Sequence, residues 1–166
     1  MLSMDALFTP WRYSYIIATG QDDGCFFCAA TADSDDPERL VVHVAEHHIV
    51  MLNRHPYSNG HLMVAPQRHV ASPQDCEAQE REEFWPLVLR AQRVIERLCH
   101  PHGMNLGLNL GRAAGAGVPS HFHFHLVPRW TGDTNFMSVL GDVRLVPEEL
   151  ETMWRKFRQA FAEEDR

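Results

Sequence analysis

The chain has no apolar run approaching the roughly 18 residues that a membrane-spanning helix requires. Its opening stretch, MLSMDALFTPWRYSYIIATG, lacks the basic-then-apolar layout of a secretory signal. A cytoplasmic protein with no membrane partner is therefore expected. Positive charge is also scarce. Fifteen Lys and Arg against 22 Asp and Glu leave a net charge of −7, and Lys156 is the single lysine. A nucleic-acid polymer needs a basic field to neutralise its phosphates, so a general role on DNA or RNA is excluded. A small phosphorylated ligand is not excluded, because a few local donors suffice for it. The four cysteines are too few for a disulfide framework in 166 residues. Cys76 and Cys99 stand alone in helical pattern, where packing accounts for them. Repeats and low-complexity segments are missing too. What remains is ordinary globular composition, 45% hydrophobic and 22% charged, enough for one domain with a proper core.

The first stretch, to about Thr31, is mixed and aromatic and carries no clear period. The acidic ADSDDPE segment, Ala32 to Glu38, reads as a turn-rich linker. Three strand-like runs follow: Leu40 to Val44, His48 to Asn53 and His61 to Pro66. Their connections, AEH and RHPYSNG, are short enough for antiparallel pairing. A long helical pattern comes next, with Ser72 expected as its N-cap and Pro73 at its first position. Leu87, Leu89, Ile95 and Leu98 are among its apolar positions. Pro86 is expected to kink or break it, and Gly103 to cap its C-terminus. Met104 to Gly111 alternates, with Met104, Leu106, Leu108 and Leu110 on one face and Asn105, Gly107, Asn109 and Gly111 on the other. The tail VPEELETMWRKFRQAFAEED reads as an amphipathic helix opened by Pro147. The fold class is α+β with a mostly antiparallel sheet. The whole chain, 1–166, forms a single domain: an N-terminal segment 1–39, a core 40–130 and an extension 131–166.

The most informative stretch is SHFHFHLVPRW, Ser120 to Trp130. In a strand, alternate side chains share a face, so His121, His123 and His125 line up about 6 to 7 Å apart. Phe122, Phe124 and Leu126 then point into the core, which leaves an open polar face of three imidazoles. Two chemistries suit such a row. Three imidazoles can bind a catalytic metal. Alternatively, a neutral histidine attacks phosphorus while its neighbours hydrogen-bond the phosphate oxygens and protonate the departing group. The preceding strand favours the second. Its open face offers the amides Asn105 and Asn109, with Gly107 and Gly111 allowing close ligand approach. The loop Gly115 to Ser120 can aim backbone N–H groups at an anion. Amides, glycines and an anion loop, without carboxylates for magnesium, suit phosphate-ester chemistry with no catalytic metal required.

HFHFHLV resembles the histidine-triad motif, His-x-His-x-His followed by two apolar residues, of the histidine triad (HIT) superfamily of nucleotide hydrolases and transferases. LNRHPYSNGHLMVAPQRH is similar to that family's N-terminal half-site. GLNLGRAAGAGVPSHFHFHLVPRWTGDTNF, with LFTPWRYSY at the start, resembles the branch containing diadenosine tetraphosphate phosphorylases. The similarity covers roughly Leu7 to Val146. It implies a HIT-like fold: a five-stranded, mostly antiparallel sheet with a long helix and a C-terminal helix, shared as a sheet across a homodimer. It also implies an enzyme that cleaves a nucleotide phosphoanhydride at the α-phosphorus. His123 would be the nucleophile, forming a nucleotidyl-histidine, and His125 would lie against the phosphate and bridging oxygen. His121 would orient the site or bind metal, and His61 would stand behind the triad. Asn53 would contact the nucleotide sugar and Asn109 the phosphate region, with Gly115, Gly117 and Ser120 in the phosphate loop. The family usually carries Gln or Ser a few residues before the first histidine. Here Gly117 and Val118 occupy that stretch, so backbone donors and Ser120 must contribute more.

The resemblance implies an adenine nucleotide or dinucleoside polyphosphate as partner. With phosphate as acceptor, diadenosine tetraphosphate gives ATP and ADP; with water, it gives ATP and AMP. Hydrolysis of dinucleoside polyphosphates or nucleoside phosphoramidates is the alternative, and a nucleotide-binding adaptor without turnover is a rival of another class. Trp130, beside the triad, either covers a base or packs at a dimer contact. Separately, Cys25 and Cys28 in CFFC are half of a tetrahedral zinc site. A redox role is weaker, because the pair does not sit in a βαβ unit. Zinc-bearing relatives complete such a site with a histidine after Pro-x-x and with the first triad histidine. His69 and His121 fill both positions, which implies a structural zinc on Cys25, Cys28, His69 and His121.

Overall fold

The structure is a computed structural model that describes residues 24–133 and 148–164. The LFTPWRYSY stretch, the segment from Thr134 to Pro147 and the expected role of Pro147 as a helix opener lie outside those residues. Among the described residues, three helices, α1 (Phe26–Ala32), α2 (Ala78–Cys99) and α3 (Leu150–Glu164), accompany five strands: β1 (Val41–Val44), β2 (His48–Leu52), β3 (Leu62–Pro66), β4 (Gly103–Leu108) and β5 (Phe124–Arg129). The strands form one sheet in the order β1-β2-β3-β5-β4, and every pairing is antiparallel. The α+β class and the antiparallel sheet expected from the hydrophobic pattern are present.

Every residue of β2 and β3 is buried, which an alternating half-exposed strand would not show. The reason is that both faces of the sheet are covered. Val50, Leu52, Leu62, Val64, Phe124 and Leu126 pack against α2 and α3. Ile49, Met51, Met63 and Ala65 point the opposite way and pack with Phe27 and Ala30 of α1. The aromatic N-terminal segment, which shows no period, thus supplies a short helix that covers the second face. Helix α3 buries Met153, Phe157, Ala160 and Phe161, the expected amphipathic stripe.

Helix α2 departs from expectation in three places. Ser72 does cap a turn, accepting from the Gln74 N–H, but the turn is a 3₁₀ segment, Pro73–Asp75, that ends at extended Cys76. The helix proper starts at Ala78, where Glu77 and Glu80 form a reciprocal capping box. Pro86 neither breaks nor divides it. A proline inside a helix costs about 3 kcal/mol. The same helix buries Leu87, Val88, Ala91, Val94 and Ile95 against the sheet, at about 1.5–3 kcal/mol for each larger side chain, and that outweighs the loss. The C-terminal cap is His100, in the left-handed region at φ 46, while Gly103 already belongs to β4.

The histidine row also differs from a continuous strand. Strand β5 begins only at Phe124, so His125 lies within the strand while His121 and His123 precede it. The Phe122 N–H donates to the Val70 carbonyl at 2.8 Å instead of to a neighbouring strand. The expected split of faces survives, with Phe122, Phe124 and Leu126 all buried. The expected open face does not. His121 is fully buried and His123 is 6% exposed, because α1 lies over both. Beside His125 the sheet is thinner: its partners are Met63 on β3 and Gly107 on β4. A side chain at Gly107 would enter open space, so the glycine leaves room next to His125.

Candidate active site and metal centre

His61, at the entrance to β3, accepts through Nδ1 from the Tyr57 backbone N–H at 3.1 Å. Its proton therefore sits on Nε2, which donates to Nδ1 of His125 at 2.9 Å. That in turn places the His125 proton on Nε2. Nδ1 of His123 lies 3.0 Å from the His121 carbonyl, which can only accept, so Nδ1 carries the proton and Nε2 keeps its lone pair. The His123 and His125 rings stand edge to face, 4.9 Å apart. One ring thus holds a nucleophilic nitrogen next to another that offers an N–H. Burial pulls His123 below the ordinary imidazole range, opposed by its bond to the His121 carbonyl, and this keeps it neutral and nucleophilic near pH 7.

His121 belongs to a different constellation. Its Nε2–H donates to the Pro66 carbonyl at 2.8 Å, which turns the Nδ1 lone pair toward the two thiols. Nδ1 lies 3.2 Å from Cys25 Sγ and 3.7 Å from Cys28 Sγ, and Cys28 Sγ is 3.2 Å from His69 Nδ1. All four donor atoms fall within 4.8 Å of one another. A zinc ion with bonds of about 2.3 Å to sulfur and 2.0–2.1 Å to nitrogen sets ligand–ligand edges of about 3.5 Å, so the four can hold such an ion with little rearrangement. The Pro66 carbonyl on the far nitrogen of His121 is the outer-shell contact that metal-bound histidines commonly have. Burial, with His69 and His123 nearby, pulls His121 down to about 4 despite the opposing Pro66 bond. It is therefore neutral and ready to ligate at neutral pH. Burial and the neighbouring Cys25 raise the Cys28 thiol, and a bound cation would reverse that by displacing the proton.

His69 is held by the residue before it. Arg68 makes a two-pronged pair with Glu80 of α2, at 2.9 and 2.7 Å, and donates to the Asp75 carbonyl. That hydrogen bonding brings the Glu80 carboxyl from 4.5 to about 2. A carboxylate lowered this way contributes stability that is complete above about pH 4.5 and is lost as pH falls toward about 2. The melting temperature of the wild type should fall through that window more steeply than that of Glu80→Gln. Parallel acid profiles would remove Glu80 from this role.

The histidine row read from the sequence therefore divides in space. His61, His123 and His125 come together, while His121 joins Cys25, Cys28 and His69. Asn53 uses Oδ1 to accept from the His55 N–H at 2.8 Å, and its own N–H donates to the His61 carbonyl. Asn109 stands one residue beyond β4. Gly115 closes the 3₁₀ turn Arg112–Ala114 in the left-handed region at φ 86, and Gly117 and Ser120 follow on the same loop into the histidines. Phe27 was not anticipated as a site residue. Its ring lies against both His121 and His123, at 5.0 and 4.7 Å. The available signal was its position inside CFFC.

This sheet and histidine arrangement define the class. The chain belongs to the histidine triad family, whose HIT domain matches residues 35–132. Among individual proteins, it is 36% identical over 154 residues to a Mycobacterium tuberculosis H37Rv protein named AP-4-A phosphorylase, covering 89% of this chain and 79% of that one. It is 35% identical over 82 residues to the asymmetrical bis(5'-nucleosyl)-tetraphosphatase of Schizosaccharomyces pombe, 49% of this chain and 44% of that enzyme. A zinc-bound histidine triad family protein from Mycobacterium smegmatis superposes with a TM-score of 0.68 at 27% identity, over 86% of this chain and 96% of its own.

Proposed function

We propose that this chain cleaves dinucleoside polyphosphates, with phosphorolysis of diadenosine tetraphosphate to ATP and ADP as its reaction. The observation that carries the chemistry is the pair of assigned tautomers: a bare Nε2 on His123 beside an Nε2–H on His125. His123 Nε2 attacks the α-phosphorus and forms the N–P bond as the P–O bond to the polyphosphate breaks. The His121 carbonyl, already accepting from Nδ1–H, stabilises the imidazolium that results. His125 donates its N–H to the bridging oxygen. Because its Nδ1 is committed to His61, it acts as a neutral hydrogen-bond donor and ATP departs as an anion. An oxygen of phosphate then attacks, the P–N bond breaks, ADP forms and His123 returns to neutrality.

The similarity to the mycobacterial phosphorylase over most of both chains supports phosphate as acceptor. The shorter similarity to the yeast tetraphosphatase supports the second reading, hydrolysis to ATP and AMP. Incubation with diadenosine tetraphosphate, with and without phosphate, separates the two. Phosphate-dependent ADP is the expected product. AMP formed at the same rate in both would establish the hydrolase, and no turnover of any anhydride or phosphoramidate would leave a nucleotide-binding adaptor.

In this reading Asn53 contacts the nucleotide sugar, and Asn109 with the Gly115, Gly117 and Ser120 loop contacts the phosphates. Cys25, Cys28, His69 and His121 hold a structural zinc, which supplies cross-linking and no step of the reaction. The chain acts as one domain over 1–166 and pairs with a second copy. Trp85 and Leu89 on α2 and Leu106 on the edge strand β4 remain 40–50% exposed, an apolar margin suited to continuing the sheet across two chains. Sedimentation as a monomer at micromolar concentration would count against the pairing. Among the described residues no helix is long and apolar enough to cross a membrane.

A further inference from the structure

Phe27 sits between the two cysteines of CFFC, is 2% exposed and lies on the ring of His123. Their centroids are 4.7 Å apart and their planes 29° from parallel. The same buried ring also donates from Nδ1 to the His121 carbonyl and meets His125 edge to face. The terminal torsion of a histidine is broad and roughly two-fold, so a single hydrogen bond permits rocking and occasional ring flips. A flipped His123 would turn a carbon toward the phosphorus. A flat aromatic face at stacking distance opposes both motions.

Phe27 is held in place by its helix. At seven residues, α1 is too short to persist on its own hydrogen bonds. Inside the fold it is fastened by Phe27 and Ala30 packed on the sheet and by the cysteines that flank Phe27, which meet His69 and His121. His121 is thus linked to the nucleophile twice, through its carbonyl and through the helix that its thiol partners anchor.

We propose that Phe27 is a positioning residue for the reaction: its ring, set by the Cys25–Cys28 cluster, holds His123 with Nε2 toward the substrate. The proposal rests on His123 being the nucleophile. It links the metal cluster to turnover without the metal touching the substrate.

The test uses the full-length, zinc-loaded chain and the variants Phe27→Leu, which keeps apolar bulk but loses the flat face, and Phe27→Tyr, which restores it. Leu should lower kcat on diadenosine tetraphosphate by roughly ten- to a hundredfold. KM should stay within about threefold and zinc at the wild-type equivalent, and Tyr should recover most of kcat. Independently of activity, nitrogen NMR at pH 8 should show one His123 tautomer, protonated at Nδ1, in wild type and Tyr, and a mixture in Leu. A single Nδ1–H tautomer with unchanged kcat in Leu overturns the proposal. A rise in KM at constant kcat does so as well, since it makes Phe27 a ligand contact. Loss of zinc in step with kcat also overturns it, leaving Phe27 a scaffold residue. Should wild type fail to turn over the substrate, the function reading falls, and the tautomer comparison still decides the role of Phe27.

Discussion

Replacing His123 by Asn should lower turnover of diadenosine tetraphosphate by at least about 10³-fold, or about 4 kcal/mol of transition-state stabilisation. Nucleotide affinity should remain close to wild type. The asymmetry follows from the geometry. Asn can still donate to the His121 carbonyl that His123 Nδ1 engages, so the local backbone keeps its partner. It has no lone-pair nitrogen with which to attack phosphorus. The substrate's remaining contacts, proposed at Asn53, Asn109 and the Gly115–Ser120 loop, are untouched. A companion change, His61→Ala, should cost much less. It removes the Nε2–H that fixes the His125 tautomer but leaves the nucleophile in place. Single-turnover assays with trapping of a phosphorus-linked histidine would check both. Substantial activity in His123→Asn would remove this residue from the role.

The second large effect is expected from the Cys25–Cys28–His69–His121 cluster. Protein purified without a histidine tag or chelator should carry about one equivalent of zinc, and Cys28→Ser should lose most of it. A ligand present at about 1,000 times its dissociation constant adds about 4 kcal/mol to the folded state. At roughly 2–4 °C per kcal/mol for a chain of this size, that is roughly 8–16 °C in melting temperature. Cys28 meets both histidines of the cluster, at 3.2 and 3.7 Å, so its loss removes a donor that borders each of them. Elemental analysis and thermal melts with and without a chelator are the measurements. Less than a tenth of an equivalent of zinc in the wild type would sink the structural-zinc assignment.

Much of this site can be read in one dimension, and particular residues show where that stops. His125 and its neighbours Phe124 and Leu126 obey strand alternation, because β5 pairs on both sides and its pleat fixes which way each side chain points. His121 and His123 carry the same spacing but lie outside the strand, where the pattern no longer dictates orientation. Their placement depends on the Phe122 bond to Val70 and on the cover of α1, both long-range contacts. Helix α2 teaches the same lesson. Pro86 has a local penalty that any sequence rule detects, yet the burial of its neighbours on the sheet overrides it. Ser72 and Gly103 are good cap residues that cap other things, or nothing. The helix takes Glu77 and His100 instead, because the flanking 3₁₀ turn and strand claim the rest.

The sequence by itself determined the α+β class and the antiparallel strands, and it pointed to the histidine row as the candidate site and to Cys25, Cys28, His69 and His121 as a candidate donor set. The class and strands follow from alternation, and the histidine row and the Cys25–Cys28 pair from spacing and residue chemistry, whereas His61, His69 and the role of each histidine come from the family resemblance. Only the tertiary structure decided which ring nitrogen of each histidine carries its proton. His121 turns to the thiols because the Pro66 carbonyl claims its Nε2–H. His123 keeps its Nε2 lone pair because the His121 carbonyl claims its Nδ1–H, and His125 presents a proton because His61 claims its Nδ1. A tautomer is set by the partner across the fold, and no spacing along the chain encodes it.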